Sequence, residues 1–247
     1  YILNIHRPLI DSLQDTNVFE IVLQTHTDDS FILLSLLVMS DYFAKKSQLD
    51  EIVEWANTCI EKHIESASFL QLCLIIVNRL LVVPENNEKF NFKNYIESAF
   101  SSICKIIMRQ KFESILEDAY IVLARMVKYV SKEKVHDTKI IRLTSLHLAS
   151  HMKLPEFEIR LLDFLYNCSL VPHLVEELTA VEPLLPTVMK ILNDYPNQQL
   201  IVEFSISLAV TMNHPNKESL LRAGLLQFPD SAKLKQHIDL LKRFLDK

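Results

Sequence analysis

Gly224 is the only glycine among 247 residues, and that single fact removes most folds from consideration. Sheets joined by tight turns, phosphate-cradling loops and nucleotide-binding crossovers need glycine where a backbone dihedral turns positive or a chain approaches a ligand closely. Helix interiors need none, and a glycine there costs about 1 kcal/mol relative to alanine. With 49% of its residues hydrophobic, the chain can also bury a substantial core. An all-α fold follows. No stretch shows the strict alternation of a half-buried strand.

Apolar residues recur with helical period over nearly the whole chain. The pattern predicts helices near 2–14, 17–25, 29–45, 48–64, 67–83, 93–109, 112–132, 136–152, 156–169, 172–193, 198–213, 217–227 and 231–245. In the last of these, Leu234, Ile238, Leu241 and Leu245 form one stripe, with Lys233, Lys235, Asp239 and Lys242 outside it. Asp28 or Asp29 can cap the helix containing Phe31, and Asp230 or Ser231 the final one. Pro84, Pro155, Pro215 and Pro229 fall in predicted connections, Pro172 suits a helix start, and Pro183 and Pro186 should split or kink 172–193. No low-complexity linker divides the chain, so residues 1–247 are expected to form one domain.

Charge and cysteine usage narrow the function classes. A net charge of −5 with scattered basic residues argues against nucleic acid as the partner, because phosphate neutralisation favours a basic face. Cys59, Cys73, Cys104 and Cys168 lie far apart in apolar segments, which predicts buried free thiols in a reducing compartment. No signal peptide is visible, and no apolar run reaches the roughly 18 residues of a membrane span. The expected location is therefore intracellular, in cytoplasm or nucleus. The start at Tyr1 without methionine is expected to mark a piece excised from a longer protein.

Five helices share an apolar run crossed by one polar residue near the helix end. That residue is Asp41, Asn78, Lys128, Asn167 or Thr211, at successive steps of 37, 50, 39 and 44. The mean of about 42 lies within the period of armadillo and HEAT repeats. The segments Leu165-Tyr166-Asn167-Cys168-Ser169 and Ile76-Val77-Asn78-Arg79-Leu80 resemble the end of an armadillo third helix. Asn216 to Leu225, with Gly224 after a short helix, resembles another segment of that family. The resemblance implies an α-solenoid, right-handed and built of about five armadillo- or HEAT-like repeats, whose third helices line a concave groove.

On that resemblance, Asn78 and Asn167 are placed to clamp the backbone of an extended peptide, since one amide offers both a donor and an acceptor. Asp41, Lys128 and Thr211 take equivalent positions, and Arg125, Tyr129 and Tyr166 lie nearby. The alternative is that both asparagines cap or bridge neighbouring backbone within the core. Trp55 is either core or an interface anchor.

Catalytic and metal signals are thin. His147 and His151 stand at i and i+4, but without the adjacent glutamate of a metalloprotease helix or a third ligand. Cys168 with His173 reads as an inert core thiol near a histidine, and Glu117-Asp118 and Glu176-Glu177 as wet helix faces. One glycine forbids the common nucleotide and nucleophile-elbow motifs. No cofactor, metal or catalytic residue is expected. The expected role is a protein-binding scaffold rather than an enzyme, taking a peptide or helix of another protein, with self-association through the terminal helices as a further possibility. A nucleic-acid-binding helical repeat is the alternative.

Overall fold

The computed structural model describes residues 57–58, 60–62, 64–81, 92–150 and 154–245. Among these the secondary structure is helical throughout, with no strand. The expected features at Asp28, Asp29, Asp41, Trp55, Cys59, Pro84 and His151 lie outside the described residues. The chain divides into two compact units, Tyr1–Val122 and Leu123–Lys247.

In the first unit, α1 spans Ala67–Leu80 and α2 spans Phe92–Arg109, and α3, Glu113–Met126, begins. Ile96, Ala99, Phe100, Ile103, Cys104 and Ile107 of α2 are buried at spacings of three and four, while Lys105 and Arg109 are exposed. That stripe makes α2 a core-facing amphipathic helix. Helical residues before α1 run beside it. The Asn57 amide donates to Ser98 Oγ at 3.1 Å, Lys105 Nζ reaches Glu61 Oε1 at 2.5 Å, and Gln110 Nε2 donates to the Ile64 carbonyl. Partners lie 41, 44 and 46 positions apart, and both members of each pair advance together, so the two stretches run parallel.

The second unit begins in the last turn of α3. There follow a 3-10 turn at Val127–Tyr129, then α4, Lys132–Thr138; α5, Ile140–Ala149; and α6, Pro155–Ser169. A second 3-10 turn, Pro172–Leu174, leads into α7, Val175–Thr179, and α8, Leu184–Asp194. The last three are α9, Gln199–Thr211; α10, Lys217–Gln227; and α11, Ala232–Leu245.

Helix α9 is the axis of this unit. Every residue from Ile201 to Ala209 is buried, because α6, α8, α10 and α11 all pack against it. A helix enclosed on every side should be apolar all round, and Glu203, Ser205 and Ser207 are the exceptions. Val202 and Ile206 join Leu192, Leu221 and Leu234 in one core cluster. Gly224 of α10 explains itself here. A Cβ at that position would stand 2.5 Å from Ile206 Cδ1 and 3.1 Å from Leu234 Cδ1, so any larger residue would have to displace the Ile206 side chain.

The observed boundaries depart from expectation where backbone detail decides. Residues 136–152 do not form one helix: Lys139 adopts a left-handed conformation, φ 53°, and separates α4 from α5. Residues 112–132 do not either, because α3 tightens into the 3-10 turn and Val130 is extended, φ −96° and ψ 140°. Pro155 opens α6 rather than lying in a connection, which its missing N–H permits. The 172–193 segment does split, between Thr179 and Leu184; Pro183 precedes α8, and Pro186 falls in its first turn, where N–H groups lack helical partners anyway. Ser231 caps α11, its Oγ accepting the Leu234 N–H at 3.2 Å.

Candidate functional site

The residues expected to meet a partner are distributed over both units. Asn78 stands half-buried in the last turn of α1, in the first unit. Arg125, Lys128, Tyr166, Asn167 and Thr211 belong to the second. Thr211 closes α9, and its hydroxyl donates to the Ser207 carbonyl at 3.0 Å. Lys128 lies in the 3-10 turn after α3, its ammonium 4.4 Å from the centroid of the Tyr129 ring, and that turn packs on α6.

A charged cluster forms on α6 around Asp163, drawing in Arg125, Tyr166 and Asn167. Asn167 Nδ2 donates to the Asp163 carbonyl at 2.8 Å and to its Oδ1 at 3.1 Å, one turn back along the helix. The Tyr166 ring meets Phe204 of α9 at 5.4 Å between centroids, tilted by 43°. Lys233 of α11 lies 4.6 Å over the same Phe204 ring and 3.5 Å from Glu203 Oε2. Gln199 Nε2 donates to the other carboxylate oxygen of Glu203 at 2.8 Å. Glu203, only 4% exposed, is thus held from both sides. A buried carboxylate needs such partners, since an isolated one costs far too much desolvation.

Burial dominates the acid–base behaviour. It pushes the Asp163 carboxyl above the usual carboxylate range, against the opposing pull of Lys233, Arg160, the Asn167 hydrogen bond and Arg125. Burial likewise raises the Tyr166 phenol, helped by the negative charges of Asp163 and Glu203. Lys233 bears on both carboxylates, 3.5 Å from Glu203 and acting on Asp163 from α11.

Asp163, Arg160, Glu203 and Gln199 are not singled out by sequence, and Lys233 only as a charge outside the stripe of the last helix. Glu203 and Asp163 each carry a signal, as the one acid in the apolar runs Leu200-Ile201-Val202-Glu203-Phe204 and Leu161-Leu162-Asp163-Phe164-Leu165. Lys233 looks like an ordinary helix-surface charge until α11 packs on α9 and sets it beside Glu203.

The remaining candidates lie elsewhere. Cys73, Cys104 and Cys168 are buried and form no disulfide, and His173 is exposed. Burial lowers the His147 imidazole, and among the described residues no three metal-ligating side chains gather. Glu176 and Glu177 of α7 face α4, with Lys132 Nζ 2.7 Å from Glu176 and His136 Nδ1 3.0 Å from Glu177. No described helix is long and apolar enough to cross a membrane. No family model matches the chain, and neither does any curated protein or solved structure.

Proposed function

We propose that the chain is an armadillo- or HEAT-like helical-repeat scaffold that binds a peptide or helix of another protein along helices stacked in parallel. The observation that supports this reading is a set of contacts whose partners lie about 40 residues apart, at separations from 38 to 46. In the first unit the paired stretches are offset by 41 to 46 residues. In the second, Lys132 pairs with Glu176 and His136 with Glu177, at separations of 44 and 41. Tyr166 meets Phe204, 38 positions on. Parallel neighbours at a period near 42 are what stacked helical repeats produce.

Binding follows from preorganisation. Side chains on mutually packed helices need little further ordering, so a flexible partner bears most of the entropic cost. The Asn167 amide nitrogen donates within its own helix, to the Asp163 carbonyl and carboxylate, which fixes the orientation of a half-buried side chain. The test is selection of peptides from a random display library against the whole chain, followed by anisotropy with Asn167→Ala and Tyr166→Ala. Selected peptides should bind both variants more weakly. Equal affinity for wild type and both variants would remove this face from the reading.

A further inference from the structure

We infer that α11 is an acid-sensitive latch: protonation of His237 releases it from α9 and α10 and uncovers the apolar face beneath it. His237 is 4% exposed, and neither Nδ1 nor Nε2 has a hydrogen-bond partner among the described residues. The neutral ring tolerates this as a largely apolar body. An imidazolium does not, since it adds a second N–H donor and a full charge with nothing to receive either. A histidine so placed changes its charge in the range where docking and release can be exchanged by a modest fall in pH.

The surrounding charges offer no compensation. Helix α9 brings one charged residue, Glu203, whose carboxylate oxygens are taken by Lys233 and Gln199. Helix α10 brings Lys217, bonded to the Asn213 side chain, and the exposed Glu218 and Arg222. Asp163 of α6 feels Lys233. On α11 itself Lys235 is exposed, and Lys233 stands one turn before His237, where a second positive charge is unfavourable. None of these groups acts on the imidazole, and burial alone holds its pKa down.

The packing explains why the helix gives way before the rest of its unit. Helix α11 packs chiefly on α9 and α10, whereas α9 is enclosed by α6, α8, α10 and α11. The buried residue that α11 adds to the shared core is Leu234, with Ile238 packed against the cluster. Leu234 lies over the notch that Gly224 leaves beside Ile206 and Val202. When α11 leaves, Leu192, Val202, Ile206 and Leu221 keep one another, so the opening is local and needs less free energy than unfolding the unit.

The test is amide hydrogen exchange of the full chain between about pH 7.5 and 5.5, with rates corrected for their intrinsic pH dependence. The released helix carries an ordinary histidine, with a pKa near 6.5. Protection of Ala232–Leu245 should therefore hold down to about that pH and fall about fivefold over the next unit. Gln199–Thr211 and Pro155–Ser169 should keep theirs. His237→Leu should leave α11 protected throughout, and His173→Gln, at an exposed position, should reproduce wild type. Should His237→Leu fail to fold, the wild-type ring decides through its NMR titration, whose midpoint should lie below about 6.5. The inference is overturned if α11 and α9 lose protection together, if α11 protection does not change with pH, or if His237→Leu retains the change. It is equally overturned if His173→Gln abolishes the change, or if the His237 ring titrates near 6.5 while α11 stays protected.

Discussion

Tyr166 and Phe204 face one another at 5.4 Å across α6 and α9, although 38 residues separate them in the chain. The contact joins the aromatic beside Asn167 to the most buried helix of the second unit, and Lys233 covers the far partner. An aromatic pair of this geometry contributes about 0.5–1.5 kcal/mol beyond its buried area. Tyr166→Leu is expected to lower stability in urea denaturation by about 1–2 kcal/mol, area and pairing together. Phe204→Leu in the Tyr166→Leu background should cost less than in wild type. Strict additivity would deny the coupling.

Gly224→Ala sets helix propensity against space. Alanine gains about 1 kcal/mol as a helix former, but its methyl would stand 2.5 Å from Ile206 Cδ1 in a filled core. Overpacking costs about 1–3 kcal/mol, so a net loss of about 1 kcal/mol is expected. Ile206→Val removes the obstructing methyl. In the alanine background it should be neutral or stabilising, whereas alone it should cost about 1 kcal/mol. Calorimetric midpoints of the four proteins decide.

The Lys233–Glu203 pair has one buried member and one partly solvated. Lys233→Met would leave Glu203 with Gln199 alone, and the expected loss is about 1–2 kcal/mol, below the full buried-pair penalty because Lys233 is a third exposed. Adding Glu203→Met should recover most of it. A double variant as unstable as the single would mean that packing, and not the pair, fixes α11 to α9.

His237 is 4% exposed, and neither ring nitrogen has a hydrogen-bond partner among the described residues. Burial lowers its pKa, so the folded state holds the imidazole neutral while the unfolded chain takes up a proton near pH 6.5. Stability from this group is full above that pH and is lost as pH falls from about 6.5 through the lower folded value. Asp163 works oppositely. Its raised carboxyl contributes stability below the unfolded value near 4, lost as pH rises through the folded one. Denaturation across pH 4 to 8 should show His237→Leu abolishing part of the acid loss, and Asp163→Asn gaining over wild type only toward neutral pH. A His237→Leu profile parallel to wild type would deny the buried neutral imidazole.

The helical class was legible from one glycine and an unbroken helical period, and Lys217–Gln227 appeared with the expected bounds. The break at Lys139 was not, because a lysine in left-handed backbone leaves no mark in composition. Motif alignment placed Asn167 opposite Thr211, 44 residues on. Yet the side chains that meet, Tyr166 and Phe204, are offset by 38, since axial sliding of packed helices sets neighbours that periodicity cannot see. The same reason hid Lys233.

Hydrogen exchange of the whole chain with and without a display-selected peptide tests the scaffold reading most directly. Added protection is expected on Pro155–Ser169, on the exposed end of Glu113–Met126 and on the start of Ala232–Leu245. Protection confined to other segments, with these three exchanging as in the free chain, would contradict it.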